Sequence, residues 1–205
     1  MIFKSLAVLA IMALMPTHAL ALHVFNIPTK LNIDNSKVTA IVGPIDEAMA
    51  ASVELQLMSN KDLPGDRLVL IESPGGSVQA AATIIKLLEA EKLRGFKLVC
   101  VAVGFAHSAA FNILSHCDVR YATVGAEMLV HKIAIGGANE RLTAKNLRKI
   151  AAEIDAMNKS IDLYNANKMH LTLAEYNKKA DAETTWSALE LVKLGYLEDI
   201  VTIAP

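Results

Sequence analysis

The sequence predicts an α/β fold with a mainly parallel sheet. Apolar runs of strand length, such as 68–71 and 98–103, alternate with longer helical patterns through the first half of the chain. Gly and Pro mark the points where strands give way to helices, most clearly at Pro74-Gly75-Gly76. The chain has 205 residues, 53% hydrophobic and 20% charged, enough apolar surface for a packed core. Its net charge of −1, without a basic patch or a long like-charge run, offers nucleic acid no electrostatic footprint.

Residues 1–21 have the form of a signal peptide: Lys4, an apolar run over 6–15, Pro16, then Ala19-Leu20-Ala21 as a small-x-small cleavage site. The expectation is a periplasmic or secreted protein cleaved near Ala21, with residues 22–205 forming one domain. The alternative is an uncleaved N-terminal membrane anchor, for which the apolar run is short. Next, 31–33 and 38–42 read as a strand pair turning at Asp34-Asn35-Ser36. A helix over 45–58 places Met49, Val53 and Leu57 on one face, and a polar loop leads to the strand at 67–72. The helix at 77–92 buries Val78, Ala81, Ile85 and Leu88 and stops at Gly95; the strand at 98–103 is broken by Gly104.

A short helix over 109–114 and strands at 119–122 and 127–131 follow. A loop at 132–139 carries Gly136-Gly137. The long helix from 143 to about 168 has an apolar seam of Leu147, Ile150, Ile154, Met157, Ile161 and Tyr164. A second short helix covers 171–180 and a loop 181–187. Ser187 and Glu190 form a capping box for the last helix, which stops at Gly195 before a final strand at 200–203. There is neither an internal repeat nor a low-complexity segment.

The chemistry centres on Ser108, which sits among Ala106, Ala109 and Ala110 where a buried strand gives way to a helix. A helix start offers unpaired N–H groups and the positive end of a dipole, both of which favour an oxyanion. The ordinary reading of such a Ser is a helix N-cap. A nucleophilic Ser needs a base. His18 and His23 lie at the leader, His170 follows the long helix, and His116 sits at a helix C-terminus as a dipole-matched surface group. His107 is adjacent to Ser108, but neighbouring side chains at such a turn diverge. His131, ending a strand 23 positions on, is the candidate base. Cys100 and Cys117 flank the Ser segment and can pair in an oxidising compartment, or Cys100 can be a buried small hydrophobe. No metal-ligand spacing and no nucleotide loop are present, so no cofactor is expected.

The ordered set of strand–Pro74-Gly75-Gly76–helix, the small-residue turn at Ser108, strand-borne His131 and the segment 187–195 resembles the Clp protease proteolytic subunit family over about 37–203. The resemblance implies a spiral of ββα units of the ClpP/crotonase kind with a protruding handle region at about 140–180. It implies Ser108 as nucleophile, His131 as base, and Gly76 and Ala109 N–H groups as the oxyanion hole. Gly75, Ser77, Val78, Lys132 and Ile133 would flank an extended peptide by strand addition. The family's third triad member is an Asp four residues before the Ser that opens the last helix; here that position is Glu183, with Asp181 as the alternative. Two further departures are His107, where the family has a small residue and which is a candidate to line the pocket, and Gly136-Gly137, one residue later than in the family.

The implied activity is serine-type endopeptidase cleavage of peptides or unfolded proteins through an acyl-enzyme. The handle implies a homo-oligomer, with stacked heptameric rings as the arrangement it suggests. An exported protein lacks ATP, so no ATPase partner is expected. Three alternatives share the fold: a Ser–Lys protease of the signal-peptide-peptidase kind using Lys132, a crotonase-type acyl-CoA enzyme, and an assembled scaffold without catalysis.

Overall fold

Parallel strands joined through helices form the core of the chain, as the alternating pattern requires. The computed structural model describes residues 29–32, 38–134 and 143–204. The leader with its cleavage point, the turn at 34–36 and Gly136-Gly137 lie outside the described residues. The elements are β1 (Thr29–Asn32), β2 (Val38–Val42), α1 (Glu47–Ser59), β3 (Arg67–Ser73), α2 (Val78–Leu93), β4 (Leu98–His107) and α3 (Ala109–Ser115). They continue with β5 (Val119–Thr123), β6 (Glu127–Leu129), α4 (Ala144–Lys168), α5 (Leu173–Asp181), β7 (Thr185–Ser187), α6 (Ala188–Lys193) and β8 (Asp199–Ala204).

The strands lie in the order β1-β8-β5-β4-β3-β2, with β6 joined to β4 and β7 to β6. β2, β3, β4 and β5 are successive parallel neighbours, each reached through a helix, because a parallel partner cannot be met by a tight turn. The expected hairpin of the first two strands does not form. β1 pairs in parallel with β8 and β2 with β3. A local turn signal competes with long-range pairing here, and the parallel neighbours win; β1 then covers what would be an open edge of β8.

Four other expectations are corrected. In α2 the buried apolar positions are Ala80, Ala81, Ile84 and Leu88, while Val78 and Ile85 are half-buried. Ile84 and Ile85 are a tandem pair, and period alone did not say which one faces inward. Gly104 does not end β4. It bends the strand with φ +78°, and β4 exchanges its partner from β5 (last pair Ala102 with Ala122) to β6 (first pair Phe105 with Glu127). The stretch 181–187 includes β7, antiparallel to β6, and β6 ends at Leu129, so His131 lies beyond the strand. A three-residue strand is too short to show a period.

The core gathers Ile41, Val53, Ile71, Ile84, Leu98 and Phe111 between the sheet and the helices. Phe111 stacks on Tyr196 at 5.1 Å, and the buried Tyr196 hydroxyl meets Ser115 Oγ at 2.9 Å. Cys100 of β4 and Cys117 after α3 are joined in a disulfide, with Cα atoms 6.0 Å apart. The long helix α4 starts from its Thr143 cap but is covered only near its C-terminal end: its buried residues are Asp162, Asn165 and Ala166. Along the seam Leu147 is exposed and Ile150, Ile154, Met157 and Ile161 are half-buried, so the described residues cover that stripe only in part.

Candidate active site

The strand β4 delivers Ser108 to a sharp turn. Ser108 has φ +56° and ψ −119°, outside the regions an L-residue prefers, and its side chain makes no capping hydrogen bond to α3. The N-cap reading therefore fails: the hydroxyl is turned away from the helix, as at a nucleophile elbow. The turn is held by Ser108 N–H donating to Leu129 O at 2.8 Å, and by Asn112 N–H donating to Ser108 O at 3.2 Å.

The same β4–β6 pairing places the histidine. Once His107 is opposite Leu129, two further residues carry the chain to His131 on the side of Ser108. His131 Nε2 lies 2.7 Å from Ser108 Oγ. The residues beyond it are tied to the helices: Ile133 N–H donates to Asn158 Oδ1 at 2.9 Å, and Lys132 Nζ donates to Asp162 and, at 2.8 Å, to Asn177 Oδ1. Asp162 is buried, so this ion pair fixes the loop to α4. Lys132 does not meet Ser108, and the Ile133 N–H is already occupied, which leaves it no free donor for strand addition.

The Pro74-Gly75-Gly76 turn packs against the elbow. Ser73 Oγ accepts from Gly75 N–H at 3.1 Å, Ile45 N–H donates to Gly75 O at 2.9 Å, and Ser77 N–H donates to Ile45 O at 2.7 Å. Gly75 has φ +90°, and a Cβ there would fall 2.8 Å from Ser108 Cβ and 2.7 Å from His107 O. Gly75 thus lies against the nucleophile's backbone rather than in the pocket. Gly76, Val78 and Ala109 do line the pocket. Ser77 is the N-cap of α2, accepting from Ala80 N–H at 3.2 Å, so its side chain is engaged in the helix.

Neither predicted carboxylate reaches the histidine. Among the described residues no carboxylate hydrogen-bonds to His131. Asp181 is the last residue of α5 and exposed. Glu183 is exposed too, at φ +48°. It holds the left-handed position of a Schellman turn: Glu183 N–H donates to Ala180 O at 3.2 Å and Thr184 N–H to Lys179 O at 3.0 Å. Glycine is the usual occupant there.

His107 and His116 take no part in the Ser108–His131 contact. His107 is not among the pocket-lining residues; it lies beside Phe105, and burial pushes its pKa below the ordinary value while Glu127 opposes that shift. His116 is not a surface cation. It stacks on Tyr164 at 4.1 Å and meets Glu89 Oε1 at 3.3 Å, and its burial lowers its pKa despite that carboxylate.

A pocket of about 120 Å³ opens beside Ser108 and His131. Its apolar walls include Val78, Ala81, Phe111, Val130 and Ile161. Asn112, Asn165 and Tyr176 also line it, and sequence reasoning did not find them. A signal existed: Asn112 is a lone amide within an apolar helical run, and Asn165 falls four residues after Ile161 of the seam. Among the described residues no group of three or more His, Cys, Asp or Glu is placed to hold a metal ion. A hydroxyl in contact with an imidazole, beside a turn rich in backbone N–H groups and a small pocket, is equipped for acyl transfer.

The model of the Clp protease family matches residues 23–204 of this chain. Over 169 residues the chain is 24% identical to the ATP-dependent Clp protease proteolytic subunit of Lactococcus lactis subsp. cremoris, covering 80% of this chain and 83% of that one. It is 27% identical over 163 residues to the ATP-dependent Clp protease proteolytic subunit 2 of Leifsonia xyli subsp. xyli, covering 77% and 71%. With the ATP-dependent Clp protease proteolytic subunit of Leuconostoc citreum it shares 24% identity over 185 residues, covering 87% and 88%.

Proposed function

The chain belongs to the Clp protease family, and from that premise we propose that it is a serine-type endopeptidase with Ser108 as nucleophile and His131 as general base. The observation that carries the reading is the 2.7 Å contact between Ser108 Oγ and His131 Nε2 at a strained strand–helix turn. With its proton on Nδ1, His131 takes the Ser108 proton as Oγ attacks the substrate carbonyl. The Gly76 and Ala109 N–H groups receive the oxyanion, each donor contributing about 3–4 kcal/mol to the transition state. Collapse expels the amine, which leaves with the proton from His131. Water, deprotonated by the same ring, then cleaves the acyl-enzyme. Glu183 is exposed in this structure and would complete the triad only by turning its side chain to His131 Nδ1.

The Ser–Lys alternative loses ground to this reading, because Lys132 is committed to Asp162 and Asn177. The disulfide between Cys100 and Cys117 and the leader-like N-terminus support an exported protein. Cleavage would then be independent of ATP and limited to peptides and unfolded chains. The half-covered seam of α4 supports a homo-oligomer in which a second copy packs on Ile154 and Ile161; charge at both positions should give smaller particles by light scattering.

A fluorophosphonate probe tests the central assignment. Ser108 should be labelled, and Ser108→Ala and His131→Ala should both abolish labelling. A scaffold without catalysis, the reading favoured by the absence among the described residues of a carboxylate hydrogen-bonded to His131, predicts no labelling of the wild type.

A further inference from the structure

The pocket beside Ser108 is not a purely apolar one. Asn165 is only 2% exposed, and its Nδ2 donates to the Tyr176 hydroxyl at 3.2 Å. Its Oδ1 has no hydrogen-bond partner among the described residues, and neither has the buried Oδ1 of Asn112. All three side chains line the cavity that also contains Ser108, Ala109 and His131. Buried polar atoms are nearly always paired, and two unpaired amide oxygens on side chains that line one small pocket call for a donor. Burial raises the Tyr176 pKa to about 12, so the phenol stays protonated, and while it accepts from Asn165 its own proton remains to be given.

Resting on the peptidase reading, we propose that this pocket selects a substrate residue with a neutral side chain ending in a primary amide, glutamine first and asparagine second, at the position whose carbonyl is attacked. Such an amide brings two N–H donors for Asn112 Oδ1 and Asn165 Oδ1 and one carbonyl for the Tyr176 hydroxyl. It satisfies either orientation of the Asn165 head group, since it carries donors and an acceptor. The methylenes of glutamine lie along Val78, Phe111 and Ile161. A lysine would place a cation in a pocket lined by no carboxylate, and leucine or methionine would leave the amide oxygens facing methyl groups.

The test uses fluorogenic peptides identical except for Gln, Asn, Met, Leu or Lys at the residue before the scissile bond. The wild-type protein should cleave the Gln peptide with a kcat/KM at least tenfold above the Met and Leu peptides. The double variant Asn112→Leu/Asn165→Leu should reverse that order, while circular dichroism verifies its fold; should it fail to fold, Asn165→Met alone is scored for the same reversal. Preference of the wild type for Met or Leu overturns the proposal, as does an order unchanged in a folded variant. Labelling of Ser108 by fluorophosphonate without cleavage of the Gln peptide overturns it alone. Absence of both labelling and cleavage overturns the peptidase reading and this proposal with it.

Discussion

Val130 N–H donates to Thr184 O at 3.1 Å, which sets the residue before His131 against the residue after Glu183. The backbone thus brings Glu183 beside the histidine while its side chain stays exposed. Holding a non-glycine residue at φ +48° is costly, and a cost of that kind is tolerated where the side chain is useful. Glu183→Gln should lower kcat by roughly 10²–10⁴-fold, the range expected when the orienting carboxylate of a triad is neutralised. Glu183→Gly should lower kcat as far yet raise unfolding stability by about 0.5–1 kcal/mol, because glycine accepts that backbone. Asp181→Asn should change neither. Steady-state kinetics and denaturant titration of the three variants decide; equal kcat for Glu183→Gln and wild type leaves a Ser–His dyad.

Gly75 and Ser108 cannot both keep their places if the glycine gains a methyl group. The added Cβ of Gly75→Ala would meet the backbone of His107 and the Cβ of Ser108, neither of which can swing aside. We expect about 1–3 kcal/mol of lost stability and labelling slowed about 100-fold through displacement of the nucleophile. Gly95→Ala is the control. Its φ is also positive, +91°, but a Cβ there meets nothing within 4 Å. It should cost stability and leave the labelling rate unchanged.

The bridge from Cys100 to Cys117 spans 17 positions and closes a loop that contains the Ser108 turn. By loop-closure entropy it should contribute about 3 kcal/mol. Denaturant unfolding with and without reductant should differ by that amount, and Cys100→Ala/Cys117→Ala should match the reduced protein. A midpoint indifferent to reductant would show that the bond does not form in solution.

Stability should fall on mild acidification. His116 and His107 are both held below the ordinary histidine value by burial, against the opposing pull of Glu89 and Glu127 respectively; Lys92 and Lys168 also face His116 and lower it further. Between the two values the unfolded chain binds protons that the folded chain refuses. Their contribution is therefore full above about pH 6.5 and is lost as pH drops through the unfolded value toward the folded ones. Tm should decline from pH 7.5 to pH 5, and less steeply in His116→Gln. Glu175 and Glu190, held low by the hydroxyls of Thr172 and Ser187, act only at more acid pH, where protonation undoes their caps. A flat Tm over pH 5–7.5 would refute the assignment.

The parts of this protein legible in its sequence are those set by local physics. The elbow could be read because a buried strand, a Ser and small neighbours must be contiguous. The capping box of Ser187 and Glu190 was readable for the same reason, since both partners lie within one turn. Alternation of strand and helix foretold the parallel sheet. What tertiary structure decided was everything that depends on which distant segment arrives alongside. The residues around 31–33 and 38–42 carry a good local turn, yet β1 went to β8 because pairing across the sheet covers an edge. Ile84 rather than Ile85 turned inward because α2 packs against α1, α3 and β4 at a rotation that a tandem pair does not specify. The carboxylate beside His131 depended on how α5 ends, and a Schellman turn pointed Glu183 outward. Asn112 and Asn165 lie 53 positions apart in the chain, and only the packing of α3 and α4 makes them walls of one pocket. Chain propensities act over a few residues, whereas a binding pocket is built from the faces of separate elements, and those faces are chosen by the packing of the whole core.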